Sequence, residues 1–489
     1  MSESLKLKII SALIWSAIER VGQQAIYFFI TIIIARLLSP SDYGLVGMLA
    51  IFMAISSSLV DSGFSAALIQ KKNATYKDFS TIFYFNIFIS IILFSVLFFS
   101  APFIAKFYNQ PRLISLTQFM ALNLIINSFG LIQNTIIIKS IDFKTQTKIS
   151  LVSSIASGAI GIFLAYEGFG VWSLAVQGLT SNLIRTVLLW FFNSWRPTLE
   201  FSISSLRGLF SFGSKLLASG LLDQIFDNIY KLVIGKLFSA TSLGYYSQAK
   251  RIQEIPVTNL TQMVQRVTYP VYSTIQDDTQ RLKRGYRNTI KAIIFINFPL
   301  MLGLAITAEP LVKVLLTEKW LPVVPYLQLL CIYGFLYPLS AVNLNILKVK
   351  GRSDIFFYLE IVKKAVIAIA ILITYRWGVL ALVIGQVCTG IIAFFINIYY
   401  SGKLINYSIK EQLLDIFPYF SLAALMSIFM YLVGLFFLEK SLIKTVVQIF
   451  SGAGIYLGMA SALRLDANKE MISILQNNLL RQKKSVLPM

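Results

Sequence analysis

Long apolar segments separated by short polar loops run through almost the whole chain. Of its 489 residues, 56% are hydrophobic and only 13% are charged, whereas soluble domains carry about 25% charged residues. At roughly 20 apolar residues for each membrane-spanning helix, this composition supplies about fourteen spans. A water-soluble core has no place for so many apolar side chains, so the pattern predicts an all-α integral membrane protein.

The loops between these apolar segments are too short to hold a folded soluble domain. The first segment follows Lys6 and Lys8 without a small-residue cleavage site, which predicts a retained first span rather than a signal peptide. The predicted spans are 10–35, 43–69, 79–105, 113–138, 148–166, 171–193, 208–236, 243–270, 287–315, 323–347, 355–374, 379–401, 413–437 and 443–463.

The basic residues are distributed unequally between the two sets of loops. The formal net charge is +21, and loops joining alternate spans hold roughly 27 basic residues on one side against about 9 on the other. By the positive-inside rule, this bias predicts that both termini lie in the cytoplasm. Most of the net charge therefore orients the chain and does not indicate a nucleic-acid partner.

Several classes of chemistry are excluded by what the sequence lacks. The chain has no histidine, which rules out HExxH zinc sites and Ser-His-Asp catalysis. Its two cysteines, Cys331 and Cys388, lie inside apolar segments, so they offer neither a disulfide framework nor a CxxC metal site. There is also no GxxxxGK[ST] phosphate loop. We therefore expect no catalytic residues, no metal and no cofactor, and we do not expect the protein to be an enzyme.

The chain repeats itself at an offset of about 200 to 208 residues. The segment ARLLSPSDYG at 35–44 aligns with GKLFSATSLG at 235–244. Two further pairs follow in the same order, namely 170–174 with 378–382 and 101–102 with 309–310. Six spans separate the copies, and an even number returns the chain to its starting side, so the repeats are parallel. The predicted parts are a six-helix lobe at 1–200, a second six-helix lobe at 201–410, a helix pair at 411–463 and a cytoplasmic tail at 464–489.

Seven basic residues that were not counted with either set of loops fall within the predicted spans, and several carboxylates join them. Each costs about 2.5–3.5 kcal/mol near the bilayer centre even on the lenient insertion scale, so we expect them to face one another or a water-filled cavity between the lobes. Basic residues outnumber acidic ones, so this cavity is net basic. The residues are Arg20, Arg185, Lys215, Lys231, Lys250, Arg251 and Arg266, with Glu19, Asp61, Asp223, Asp227 and Glu254.

The two spans that open the second lobe are the most polar. Span seven carries Ser211, Lys215, Ser219, Asp223, Asp227 and Lys231 at successive i+4 positions, which form one ridge on a helix. Span eight is amphipathic, and Pro256 is expected to kink it.

Structural roles remain open for several of these charges. Asp227 can neutralise Lys231, and Glu254 can neutralise Lys250 or Arg251, because these pairs lie close on a helix. Lys215 and Arg266 lie near span ends and can extend to the interface, which is the favoured interpretation for Arg266. Arg20 lies mid-span, and its neighbour Glu19 points about 100° away. Arg20 is therefore the first candidate for contact with a ligand, and a basic cavity favours an anionic one.

The stretch from Ala35 to Gln70 resembles a known family. Its signature residues are Ala35-Arg36, Leu38-Ser39-Pro40, Asp42, Gly44-Leu45-Val46, Asp61-Ser62-Gly63-Phe64 and Ala67-Leu68-Ile69-Gln70. In these positions the chain is similar to bacterial polysaccharide flippases of the colanic-acid and teichuronic-acid exporter type. That family belongs to the multidrug/oligosaccharidyl-lipid/polysaccharide exporter superfamily.

The resemblance implies a V-shaped, two-lobed fold with spans one, two, seven and eight around a central cavity. It implies a monomer in the bacterial cytoplasmic membrane that moves an undecaprenyl-diphosphate-linked oligosaccharide to the outer leaflet by alternating access, driven by H⁺ or Na⁺. Its other expected partner is membrane lipid, and no nucleic-acid partner is expected. The substrate-binding residues it then suggests are Arg20, Arg185, Lys215, Lys231, Lys250, Arg251, Gln23 and Gln24. The ion-coupling residues are Asp61, Asp223, Asp227 and Glu19.

Two other functions compete with export of a lipid-linked saccharide. A multidrug/cation antiporter of the same superfamily would need spare carboxylates in its cavity and typically has about twelve spans. A membrane glycosyltransferase or polymerase would carry catalytic carboxylates or arginines on long external loops, and the loops here are short.

Overall fold

The computed structural model describes residues 3–437, 442–463 and 465. Regular structure in these residues consists of sixteen α-helices and two short 3-10 helices, Glu318–Trp320 and Tyr375–Trp377, with no strand. The predicted all-α fold is therefore confirmed. The predicted tail at 464–489 lies outside the described residues except for Leu465.

The chain divides into two compact units, Met1–Ser247 and Gln248–Met489. The first holds α1 (Glu3–Leu37), α2 (Pro40–Asp61), α3 (Phe64–Gln70), α4 (Tyr76–Tyr108), α5 (Leu113–Lys139), α6 (Phe143–Tyr166), α7 (Val171–Phe192) and α8 (Ile203–Leu237). Helix α9 (Ala240–Thr274) begins in the first unit and ends in the second. The second unit continues with α10 (Thr279–Ile306), α11 (Ala308–Leu316), α12 (Val323–Val349), α13 (Ser353–Thr374), α14 (Val379–Ile405), α15 (Ile409–Leu435) and α16 (Leu442–Ala462).

Ten of the described segments are long and apolar enough to cross a membrane. Four further long helices, α7, α8, α9 and α13, are either less hydrophobic or carry more charged residues than these ten. Helices α8 and α9 carry most of the intramembrane charges noted above, so their low hydropathy has the same origin as the predicted polar faces. The protein is a multi-pass membrane protein in which a minority of helices is markedly polar.

Two of the predicted spans contain a helix break. Within 43–69, α2 ends at Asp61 and α3 starts at Phe64, because Ser62 (φ 49°) and Gly63 (φ 71°) adopt left-handed backbone conformations. Within 287–315, the break at Thr307 lies just before Pro310, which has no N–H to continue the helical hydrogen bonding. Helix α9, by contrast, continues through Pro256.

The two copies of the repeated segment adopt the same local structure. In the first copy the N–H of Asp42 donates to Ser39 Oγ at 3.3 Å, and the N–H of Ser39 donates back to Asp42 Oδ2 at 2.9 Å, which caps α2. In the second copy the N–H of Ser242 donates to Ser239 Oγ at 3.1 Å at the start of α9. Each repeat therefore ends one long helix and begins the next within a few residues, through a serine N-cap.

A partly buried ionic network joins α15 to α10 in the second unit. Arg287 donates to both carboxylate oxygens of Asp415, at 2.5 and 2.6 Å, and the Lys291 ammonium lies 3.8 Å from the same group. Tyr407 donates its hydroxyl to Asp415 Oδ2 at 2.5 Å. Burial raises the pKa of Tyr407, and so does its bond to Asp415. The hydroxyl therefore stays protonated and remains a donor.

Candidate functional site: charged residues of the membrane helices

A polar cluster joins four helices of the first unit around Glu19 of α1. Ser150 on α6 donates to Glu19 Oε1 at 2.7 Å. Arg185 on α7 donates to Asn134 Oδ1 on α5 at 3.2 Å and interacts electrostatically with Glu19. Glu19 and Arg185 were predicted as functional residues, and the structure brings them together. Ser150 and Asn134, their neutral partners, were not predicted.

The other predicted residues of α1 lie beside this cluster. Arg20 and Gln23 are partly buried. Gln24 is also partly buried, and its Nε2 is enclosed without a hydrogen-bond partner among the described residues. An enclosed donor of this kind costs about 1–3 kcal/mol unless water or a ligand satisfies it. This part of α1 is therefore polar and incompletely satisfied within the described protein.

Helix α8 presents a ridge of predicted residues at i+4 spacing. Lys215, Asp223 and Asp227 are exposed, whereas Lys231 is partly buried and donates to Asn228 Oδ1 at 3.0 Å. In a membrane-spanning helix such charges require water or polar partners. The ridge therefore has the character expected of a helix that lines an aqueous path.

Asp61 occupies a position that its span prediction did not foresee. It is the last residue of α2, and its Oδ1 accepts from the backbone N–H of Ser65 at 3.4 Å and from the Ser65 hydroxyl. The carboxylate thus caps α3 across the break at Ser62 and Gly63. Ion coupling by Asp61 remains a prediction, but a structural role is now visible.

Lys250 and Arg251 are the predicted residues that fall in the second unit. Lys250 Nζ lies 3.5 Å from Glu254 Oε1, so the intrahelical pairing considered from the sequence is present. Arg251 is partly buried. Pairing reduces the net charge that Lys250 offers to a ligand.

A close helix contact in the first unit involves the glycines of the repeated segment. A Cβ atom at Gly44 would overlap the carbonyl oxygen of Ala240, and one at Gly244 would overlap the carbonyl oxygen of Pro40. The contact is reciprocal, since each repeat places its glycine against the first helical residue of the other copy. We call these four residues the glycine seam. The sequence aligned Gly44 with Gly244, but it did not predict that they meet.

A second close approach joins the α2–α3 break to α8. A Cβ at Gly63 would lie 2.6 Å from the carbonyl oxygen of Gly213, and one at Gly213 would lie 2.8 Å from that of Ser62. Gly63 also has a positive φ, so glycine is required there for two reasons. Glycines thus bring the start of α2 close to the start of α9, and the α2–α3 break close to α8.

These features belong to an all-α, multi-pass membrane protein, and its fold is shared by solved structures. The chain is similar in structure to the lipid II flippase MurJ in an inward closed conformation, with a TM-score of 0.77 and 16% identity over 94% of this chain and 99% of MurJ. It is also similar to an inward-facing multidrug transporter of the MATE family and MOP superfamily. That match has a TM-score of 0.62 and 16% identity, over 80% of this chain and 98% of the transporter.

The sequence identifies the family within that fold. Residues 33–325 match the family described as polysaccharide biosynthesis protein, and the chain belongs to it. TuaB of Bacillus subtilis (strain 168), a teichuronic acid biosynthesis protein, is 32% identical over 61% of this chain and 62% of its own length. WzxC of Escherichia coli (strain K12), a lipopolysaccharide biosynthesis protein, is 26% identical over 88% of this chain and 89% of WzxC. The chain thus matches less than two thirds of TuaB but almost nine tenths of WzxC. The resemblance found in the first seventy residues is confirmed.

Proposed function

We propose that this protein is a flippase for cell-surface polysaccharide biosynthesis. It moves an undecaprenyl-diphosphate-linked oligosaccharide from the cytoplasmic to the outer leaflet of the bacterial cytoplasmic membrane by ion-coupled alternating access. It acts as a monomer, with both termini in the cytoplasm. Transport requires no catalytic residue, which agrees with the absence of histidine and of a phosphate loop from the sequence.

Family membership supports the substrate class. Among the relatives, TuaB and WzxC are named for the biosynthesis of teichuronic acid and lipopolysaccharide, and ExoT of Rhizobium meliloti (strain 1021) is named a succinoglycan biosynthesis transport protein. These products are all bacterial polysaccharides. A membrane-embedded member of the same family, with a flippase-like fold, is suited to carry a lipid-linked saccharide.

The observation that carries the proposal is the set of cations within membrane helices of the first unit. These cations are Arg20 on α1, Arg185 on α7, and Lys215 and Lys231 on α8. Without an anionic ligand or water, their charges would have to face lipid or one another. Guanidinium and ammonium groups are strong ligands for phosphate oxygens. In this proposal they bind the diphosphate, and Lys250 and Arg251 are further candidate phosphate ligands. Gln23 and Gln24 donate to sugar hydroxyls.

Ion coupling is assigned to the carboxylates of the same helices. Asp223 and Asp227 are exposed on the α8 ridge, whereas Glu19 and Asp61 are partly buried. A carboxylate can bind Na⁺ or take up a proton only where solvent reaches it. Asp223 and Asp227 are therefore the leading coupling residues.

Arg20→Ala tests the substrate-binding role in a strain that lacks its own flippase. Loss of one charge-assisted bond to phosphate, worth about 1.5–3 kcal/mol, should lower substrate affinity about tenfold or more. We therefore expect poor restoration of surface polymer and accumulation of the lipid-linked precursor. The measurement is the amount of exported polymer per unit of protein in the membrane.

Arg112→Ala is the matched control for this test. Arg112 is exposed just before α5 and makes no side-chain capping bond, so its removal should leave export unchanged. Full export by a normally inserted Arg20→Ala protein would remove Arg20 from the mechanism.

A multidrug/cation antiporter is the alternative that the fold by itself does not separate from a flippase. The MATE-family transporter shares the fold, with its TM-score of 0.62. The two functions predict opposite ligands, because an antiporter of cations needs an acidic site and a flippase of diphosphates needs a basic one. Transport assays with both classes of substrate therefore distinguish them.

A further inference from the structure

An open cavity of about 470 Å³, lined by polar and charged residues, lies in the second unit between α9 and α12. Helix α9 contributes residues at i+3 and i+4 spacing, which lie on one helix face, and α12 contributes two residues at i+3 spacing. We call this space the α9–α12 cavity. Its lining residues are Gln262, Gln265, Arg266 and Tyr269 from α9, with Asn345 and Lys348 from α12.

The charges of the cavity lining are all positive. Arg266 and Lys348 are exposed, and no carboxylate is among the lining residues. Lys348 Nζ lies 4.7 Å from the centre of the Phe356 ring, so this aromatic ring helps to position the ammonium. A lining with two cations and no acid attracts an anion. From the sequence alone, Arg266 was expected to extend to the membrane interface, without a binding role.

A buried amide at the cavity lacks a partner. Asn345 is only 4% exposed, and its Nδ2 has no hydrogen-bond partner among the described residues. Two residues earlier, Asn343 has three hydrogen-bond partners: it accepts from Tyr286 and from Ser401 and donates to the carbonyl of Leu339. Buried donors are almost always satisfied, so the Asn345 amide requires water or a ligand as its partner.

The other lining groups favour a sugar. Gln262 and Gln265 carry amide donors and acceptors, which suit hydroxyl groups, and Tyr269, which is 45% exposed, adds an aromatic ring. Combined with two cations, they match a ligand that carries phosphate and hydroxyl groups on one compact body.

We propose that the α9–α12 cavity binds the sugar phosphate end of an anionic saccharide. Arg266 and Lys348 bind the phosphate, and Asn345 with the two glutamines binds sugar hydroxyls. A lipid-linked saccharide and a soluble sugar phosphate share this chemistry. The lipid-linked form rests on the proposed flippase function and would be held here before or after it crosses the membrane.

Binding is tested on the purified full-length protein in nanodiscs of neutral lipid, with an undecaprenyl-diphosphate disaccharide as the probe. Arg266→Ala/Lys348→Ala should weaken binding about tenfold or more, because two charge-assisted bonds are lost. Arg281→Ala/Arg284→Ala, which removes two exposed cations of α10 outside the cavity, should leave affinity unchanged. Equal affinity in the two double variants would overturn the proposal.

Asn345→Leu separates a binding role from a structural one. If the amide is reserved for a ligand, its replacement removes an unsatisfied donor. The melting temperature of the free protein should then rise by about 2–4 °C, while binding weakens. Asn343→Leu should instead lower the melting temperature, because it breaks three hydrogen bonds. A fall in melting temperature for Asn345→Leu with unchanged binding would contradict the proposal.

Competition identifies the source of the ligand. Displacement of the probe by glucose 1-phosphate supports recognition of the sugar phosphate itself. If glucose 1-phosphate does not displace the probe, but binding of the probe still depends on Arg266 and Lys348, the result supports the lipid-linked form. Displacement by phosphatidylglycerol alone would overturn the saccharide assignment. If the Arg266→Ala/Lys348→Ala protein bound the probe weakly but still moved it between leaflets at the normal rate, the cavity would have no part in the flippase function. If the unmodified protein bound the probe but did not move it between leaflets, the result would count against the flippase function and not against the cavity.

Discussion

Gly44→Ala and Gly244→Ala should each reduce polymer export at least tenfold in a flippase-null strain. In either variant the new methyl group would overlap a backbone carbonyl across the glycine seam, far inside the 3.0 Å that real Cβ atoms keep. A backbone oxygen cannot turn aside as a flexible side chain can, so the two helix starts must separate. Overpacking of this kind costs about 1–3 kcal/mol or more. Export should be measured together with the amount of protein in the membrane.

Other glycines in the first unit provide matched controls. Gly178 in α7 and Gly220 in α8 have nothing within 4 Å of the position that a Cβ would occupy. Gly178→Ala and Gly220→Ala should therefore insert and export normally, because alanine also has the higher helix propensity. If the seam variants behaved like these controls, close packing of the two repeats would have no part in transport.

Asp415→Ala should cause the largest loss of stability among changes in the second unit. It would leave Arg287 and Lys291 without their shared carboxylate and would remove the acceptor of Tyr407. Removing one partner of a buried pair costs about 3–5 kcal/mol. Because the Arg287 side chain is 48% exposed, we expect about 3 kcal/mol. The melting temperature of the purified protein should fall by about 5 °C or more.

Glu318→Ala is the control for this stability measurement. Glu318 forms an ion pair with Lys313 at 2.7 Å, but both side chains are exposed. The bond to Lys313 lowers the pKa of Glu318, yet water screens such a pair and its removal should change stability little. A melting temperature for Asp415→Ala as high as that of Glu318→Ala would show that the ionic network does not hold α15 to α10.

Features that depend on neighbouring residues were predictable from the sequence. One helix ends and the next begins around Ser39, and again around Ser239 in the second repeat. Both helix starts follow from a serine cap and from the repeated sequence pattern. The pairing of Lys250 with Glu254 follows from helical spacing. Such features depend only on residues within one or two helical turns of each other, so they can be predicted from the local sequence.

Contacts between distant segments were not predictable in the same way. Ser150 and Asn134 look like ordinary polar residues of apolar helices until α6 and α5 bring them beside Glu19 and Arg185. Similarly, Arg266 gained a candidate role only when α12 placed Lys348 at the same cavity. The break after Asp61 was hidden because apolar residues continue on both sides of Ser62 and Gly63.

Transfer of a fluorescent undecaprenyl-diphosphate oligosaccharide between the leaflets of proteoliposomes tests the central claim most directly. The account predicts that the protein accelerates transfer, that an imposed H⁺ or Na⁺ gradient increases it, and that Asp223→Asn/Asp227→Asn abolishes this response to the gradient. Movement of cationic dyes with no transfer of the lipid-linked saccharide would contradict the account and favour a multidrug antiporter.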